Sequence, residues 1–125
     1  MKLEQIILLI LIGIGAGFVG GIAGIGGGLV IVPMLIMIMG MTQHQAQGTS
    51  IGTLVFPIAI LAALNYSKAG LINWKYVVFL VAAFMLGSYF GSKVAVNLDA
   101  KMLKRIFGTL MIVAAIKMYW DSFKL

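Results

Sequence analysis

The chain has 125 residues, of which 62% are hydrophobic and 10% are charged, and its net charge at pH 7 is +6. Soluble domains average about 25% charged residues, so this composition excludes an ordinary water-soluble fold and predicts a protein whose solvent is the lipid bilayer. The basic residues flank apolar runs, which argues against a nucleic-acid partner and predicts contacts with anionic headgroups. Cysteine is absent, which excludes disulfides and thiol chemistry.

The first part of the chain contains no charged residue from Ile6 to Met41. This run of about 36 residues is too long for one membrane span of about 20 residues and short for two complete ones. Its middle is the sequence GGIAGIGGG at 20–28. A glycine costs a helix about 1 kcal/mol relative to alanine, so the triple glycine predicts an intramembrane break between a helix and a shorter second helix. We expect Pro33 about one turn into that second helix.

The rest of the chain contains three further apolar segments, Ile51–Leu64, Tyr76–Ser92 and about Ile106–Trp120. Residues 65–75 are expected to form a loop between two of them, with Tyr66 and Trp74 as interfacial aromatics, and Asn97–Asp99 is expected to cap the last helix. The predicted fold class is an all-α polytopic membrane protein with about four hydrophobic segments, the first two joined by an intramembrane glycine-rich break.

The basic residues leave the orientation in the membrane open. If residues 6–41 form a hairpin, one side of the membrane carries Lys2, Lys93, Lys101, Lys104 and Arg105, and the other carries Lys68, Lys75, Lys117 and Lys124. Five against four is almost no bias, so insertion in both orientations stays open, with residues 99–105 favoured as cytoplasmic.

The glycine-rich break is the first candidate binding site. Backbone that is not helical is tolerated in a membrane only against protein or a water-filled cavity, and half-helix N-termini direct free N–H groups at anions. The glycines at 24, 26, 27 and 28 would let an anion approach the backbone closely. The alternative is that these glycines only allow close helix packing, because glycines also recur at a spacing of four. That spacing does not explain the triple glycine followed by Pro33.

A second candidate cluster consists of Gln43, His44, Gln47, Thr49 and Ser50. If this stretch is helical, Gln47 and Ser50 lie on one face, and their amide and hydroxyl groups could bind a desolvated oxyanion without a buried charge. The alternative is a solvated connector followed by a helix N-cap. His44 could relay a proton, although a lone interfacial histidine is more often simply solvated.

The acidic residues Glu4, Asp99 and Asp121 all lie at segment ends, so no carboxylate is expected within a span. This distribution argues against sodium sites and carboxylate proton relays, which need buried acids. No catalytic triad, carboxylate pair or metal-ligand pattern occurs in the sequence, so we predict that the protein is not an enzyme and needs no cofactor.

The sequence from Gly17 to Leu35 resembles the signature of the sulfite exporter TauE/SafE family, also called toluene sulfonate uptake permeases. Residues 46–50, 66–74 and 87–92 agree with this family in the same order, and Leu98–Tyr119 resembles the closing helix of one of its repeats. Members of the family usually carry two such repeats in one chain and move sulfite, organosulfonates or related small organic anions. This chain contains one repeat.

The resemblance therefore implies that residues 1–125 form a single transmembrane repeat that is completed by dimerisation. We expect a multi-pass homodimeric transporter of the cell inner (plasma) membrane for small anions such as sulfite or organosulfonates. The candidate substrate-binding residues are Gly24, Gly26, Gly27, Gly28, Leu29, Gln47, Thr49 and Ser50. Two other interpretations stay open, an accessory half-subunit of a heteromeric transporter and a small anion channel. The particular anion, the direction of transport and the coupling ion are not specified by the sequence.

Overall fold

The computed structural model describes residues 1–23 and 27–124, and within these ranges all regular structure is α-helical. The helices are α1 (Leu3–Ala23), α2 (Gly28–Met39), α3 (Gln43–Val55), α4 (Ile60–Lys68), α5 (Trp74–Asn97) and α6 (Ala100–Phe123). In these ranges α1, α5 and α6 are each long and apolar enough to cross a membrane, and α3 with α4 would make a fourth, bent span. The predicted all-α polytopic fold with about four hydrophobic segments is confirmed.

Helices α1 and α2 flank the glycine cluster. Gly24 and Gly26 of the predicted break lie outside the described residues, while Gly27 is the N-cap of α2 and has a φ of 82°. This left-handed conformation strongly favours glycine, because any other side chain would crowd the following carbonyl. Pro33 lies inside α2 and has no N–H, so the helix lacks the i+4 donor to the Leu29 carbonyl.

Helix α2 packs between α1 and α3 and runs antiparallel to both. A Cβ on Gly27 would lie 3.5 Å from the Ala16 carbonyl oxygen, and Ile12, one turn earlier in α1, packs with Val32 further along α2. The core is completed by Leu35 and by Ala46 of α3, with Phe107 of α6 against its edge. In a bilayer the attraction comes from close packing rather than from escape from water, so small residues at these contacts hold the three helices together.

The apolar segment Ile51–Leu64 is divided between two helices, α3 and α4. Helix α3 begins at Gln43, within the polar stretch, where Thr42 and Gln45 form a reciprocal capping box. It ends at Val55, and α4 continues at an angle of 58°. Pro57 explains this break, since it lacks an N–H donor and forces the preceding Phe56 into an extended conformation.

Leu98 and Asp99 connect α5 to α6. The Asp99 carboxylate accepts a hydrogen bond of 2.8 Å from the backbone N–H of Met102, which confirms the predicted cap of the last helix. The predicted loop at 65–75 is shorter than expected, because its first residues belong to α4 and its last two to α5. Leu103 of α6 is buried, and α6 packs on α3.

Candidate functional site

The N-terminus of α2 presents free backbone donors. The Gly27 carbonyl accepts from the N–H groups of Val30 and Ile31 at 3.0 and 2.9 Å. The N–H groups of Gly28 and Leu29 come too early in the helix to have an acceptor within it. Among residues 1–23 and 27–124, no side chain caps this end of the helix. Two unsatisfied donors and the positive end of the α2 dipole therefore point in one direction.

This N-terminus lies beside the middle of α1. Gly27 lies close to Ala16, because a Cβ built on it would be 3.5 Å from the Ala16 carbonyl oxygen, and Ala16 lies seven residues before the α1 end at Ala23. At a rise of 1.5 Å per residue, α2 begins about 10 Å short of that end. Since α1 is long and apolar enough to span a bilayer, a membrane crossed by α1 would have the free donors of α2 near its mid-plane.

The Ser50 side chain of α3 faces the same place. Its relative exposure is 3%, and its Oγ lies 3.4 Å from the position that a Cβ on Gly28 would occupy. Within the part of the chain that the structure describes, this hydroxyl makes no hydrogen bond. A nearly buried hydroxyl without a partner thus joins the two free N–H groups of α2. Together these three donors could bind an anion with no cationic side chain.

Two glutamines on the same face of α3 as Ser50 are joined by a hydrogen bond. The Gln43 Nε2 donates to the Gln47 Oε1 at 2.9 Å, and Gln43 is buried with a relative exposure of 4%. Gln47 and Ser50 belong to one helix at a spacing of three, so they lie on one side of it. The i, i+4 spacing of the two glutamines is visible in the sequence and is the signal that predicts their pairing.

Two of the predicted site residues lie apart from this group. Thr49 is exposed and is rotated by about 100° from Ser50 around α3, while its carbonyl accepts from the Thr53 hydroxyl at 3.0 Å. The Leu29 side chain is also exposed, so only its backbone N–H belongs to the site. The structure therefore brings together Gly27, Gly28 and Ser50, with Gln47 alongside, whereas the remaining predicted glycines lie outside the described residues.

The environment of His44 corrects its interpretation as a solvated side chain. It is half-buried, and its Nε2 lies 2.8 Å from the Leu98 carbonyl oxygen and 3.1 Å from that of Ala95. Both carbonyls can only accept, so the proton must be on Nε2. His44 therefore links the start of α3 to the turn between α5 and α6.

We expect His44→Leu to lower the free energy of unfolding by about 1–3 kcal/mol, because it removes the donor and leaves two carbonyls without this partner. His44→Gln retains an N–H donor and should lose clearly less. Thermal unfolding followed by circular dichroism in detergent would measure both values. Equal melting temperatures for the leucine variant and the parent protein would contradict this role.

Within the described residues, no group of three or more His, Cys, Asp or Glu side chains could hold a metal ion. The groups that meet at the candidate site are the backbone N–H groups of α2 and the Ser50 hydroxyl. The family model described as Sulfite exporter TauE/SafE matches residues 1–118. The chain belongs to this family. This transporter family covers nearly the whole chain, which agrees with the prediction that the protein is not an enzyme.

Several curated relatives are similar to this TauE/SafE protein, and each is named "Probable membrane transporter protein". The relative from Haemophilus influenzae is 36% identical over 120 residues, which cover 90% of this chain and 45% of the relative. The relative from Xylella fastidiosa strain Temecula1 is 34% identical over 108 residues, covering 85% and 41%. A relative from Methanocaldococcus jannaschii is 35% identical over 117 residues, covering 89% and 43%. No solved structure matches the chain.

The chain spans less than half the length of these relatives, between 41% and 45% of each. Membership of a membrane transporter family agrees with the apolar helices of the fold, and the chain is a multi-pass membrane protein.

Proposed function

We propose that this TauE/SafE protein transports small anions such as sulfite or organosulfonates across the cell inner (plasma) membrane. The observation that carries the proposal is the buried Ser50 side chain, whose hydroxyl has no hydrogen-bond partner among the described residues and lies beside the N-terminus of α2. A helix N-terminus attracts anions through its N–H groups and its dipole, and Ser50 supplies an independent donor at the same place.

The donor set supports an anion rather than a cation as the substrate. Backbone N–H groups offer hydrogen atoms only, and the acidic residues of the chain all lie at segment ends. Hydrogen bonds to a charged group are about twice as strong as neutral ones, so a few of them can replace part of the hydration shell of the anion. The N–H groups of Gly28 and Leu29 and the Ser50 hydroxyl make three donors, which is the number of oxygens on sulfite or a sulfonate.

Residues near these donors complete the proposed site. The Gln47 NH2 group stays available to a ligand because its carbonyl oxygen is the atom that accepts from Gln43. Gly24 and Gly26 are included in the proposed site on the basis of the sequence alone, because they lie outside the described residues. Thr49 is a weaker candidate for anion contact, because it faces away from Ser50.

The proposed assembly is a homodimer in which each chain supplies one repeat. Curated relatives have more than twice the matched length, which supports a complete pathway built from two such units. A two-fold dimer is the commonest closed arrangement of identical chains and would provide two α2 N-termini.

Flux into liposomes tests the proposal. We expect saturable uptake of sulfite or a sulfonate by the purified protein, and a KM at least about tenfold higher for Ser50→Ala, since a hydrogen bond to a charged group contributes about 1.5–3 kcal/mol. Ser88→Ala is the matched control, because the Ser88 hydroxyl donates to the Met85 carbonyl of its own helix. Equal KM values for Ser50→Ala and the parent would exclude this site. Folded protein without flux would favour an accessory half-subunit, and single-channel currents would favour a channel.

A further inference from the structure

One side of α3 is exposed although it is not apolar. It consists of Gln45, Gly48, Thr49 and Gly52, which we call the open face of α3. Their i, i+3, i+4, i+7 spacing places them on one side of the helix. A Cβ on Gly48 or on Gly52 would have no neighbouring atom within 4 Å. The other side of α3, with Gln43, Ala46 and Ser50, is buried against α2.

Among the residues that the structure describes, the hydroxyls of Thr49, Ser50 and Ser67 make no hydrogen bond, and of these three only Thr49 lies on the open face of α3. Those of Thr53, Ser88, Ser92 and Thr109 each donate to a carbonyl of their own helix, at 3.0, 3.2, 2.8 and 2.7 Å. Thr49 is adjacent to Ser50 in the chain, so it lies at the same depth as the α2 N-terminus. A hydroxyl without a partner in hydrocarbon costs roughly 2 kcal/mol or more, so lipid is a poor neighbour for this face.

We propose that the open face of α3 packs against the same face of α3 in a second copy of the chain. This inference rests on the homodimer of the proposed function and adds the surface that forms it. Glycines one turn apart let two helix backbones approach closely in a membrane. At that distance the Thr49 hydroxyl reaches a backbone carbonyl of the facing helix, which glycine leaves uncovered. One face that carries both the donor and the open acceptors is self-complementary, as a two-fold contact requires.

A second copy is the occupant that fits best. The relatives supply more than half of their length from sequence that this chain does not match, and a second copy supplies a unit of comparable size. The α5 helix also has exposed glycines, at 87 and 91, but the serines that follow them are already bonded within the helix. The glycines of α1 are flanked in sequence by apolar residues only, so lipid can cover that helix without leaving a polar side chain unpaired. Helix α3 would then carry the anion site on one side and the dimer contact on the other.

Disulfide trapping tests the contact directly, because the chain contains no cysteine. The Thr49→Cys variant is reconstituted in liposomes at a low protein-to-lipid ratio and oxidised with copper phenanthroline. We expect a disulfide-linked dimer on non-reducing gels. Leu54→Cys is the matched control, since Leu54 is exposed on the other side of the same helix, and it should stay monomeric on the gel. Gly87→Cys reports on the competing surface of α5 and should also fail to cross-link.

A second measurement separates the contact from the dimer itself. Gly48→Leu should reduce the dimeric fraction of the purified protein at least tenfold in light scattering, while its helical circular dichroism stays that of the parent, because the site has room for the side chain within one chain. Cross-linking through Gly87→Cys but not through Thr49→Cys would overturn the proposed surface and keep the dimer. A parent protein that is monomeric and transports anions would overturn the homodimer together with this surface.

Discussion

Gly28→Leu is expected to reduce anion flux at least 100-fold while leaving the protein folded. A Cβ at this position would already lie 3.4 Å from the Ser50 Oγ, which is the limit of ordinary contact. The remaining atoms of leucine would occupy the space between α2 and α3, where the three proposed donors converge. They would also cover the free N–H groups with hydrocarbon, so an anion would lose its hydration without gaining partners.

The matched substitution is Gly13→Leu in α1, where a Cβ would meet nothing within 4 Å. It introduces the same side chain into the same kind of apolar helix, and we expect its flux to stay within about twofold of the parent. Gly28→Ala should give an intermediate flux, because it adds only the Cβ. Flux assays with sulfite-loaded liposomes, normalised to the amount of folded protein, measure all three. Parental flux in Gly28→Leu would remove the α2 N-terminus from the transport pathway.

Ala46→Phe is expected to have the largest effect on stability, about 3 kcal/mol in the free energy of unfolding. Ala46 has a relative exposure of 0% and lies in the core cluster with Ile12, Val32 and Leu35. A phenyl ring has no space there, so α3 would have to move away from α2, and overpacking of this kind costs about 1–3 kcal/mol or occasionally more. Because the three helices are held by close packing, the loss should extend to all of their contacts.

Ala82→Phe is the matched control, since Ala82 is exposed on α5 and the added ring would only meet lipid or detergent. Unfolding in mixed micelles with increasing dodecyl sulfate, followed by circular dichroism, gives the two free energies. We expect Ala82→Phe to change stability by less than about 0.5 kcal/mol. Equal stabilities for the Ala46 and Ala82 variants would show that α3 is not held by close packing on α2.

Composition and local signals were sufficient to predict the membrane environment, the two long helices α5 and α6 and the cap at Asp99. The membrane environment and the two helices depend on the length of the apolar segments, and the cap depends on an aspartate directly before a helix. Both signals can be read from the sequence. The break at Pro57 was not predicted, although the proline is visible in the sequence. The mean hydropathy of residues 51–64 stays high across it, and that average does not reveal a single proline. A proline within such a run predicts a helix end at the preceding residue.

The candidate site could be predicted only in part. The sequence groups the polar residues of 43–50 into one candidate cluster, but residues one position apart on a helix face directions about 100° apart. Only the packing of α3 on α2 determines that Ser50, and not Thr49, faces the N-terminus of α2. The role of His44 depends on carbonyls more than 50 residues away in sequence, for which no local pattern exists.

The shortness of α2 has an electrical consequence. Its 12 residues extend about 18 Å, so it crosses little more than half of a hydrocarbon core about 30 Å thick. An anion held at its inner end therefore has about half of the membrane potential on either side of it. Since one charge moved across 100 mV corresponds to about 2.3 kcal/mol, a monovalent anion would gain or lose about 1.1 kcal/mol on reaching this depth. Occupancy of the site would then vary severalfold with voltage, and the cell would influence binding through its membrane potential before any conformational change occurs.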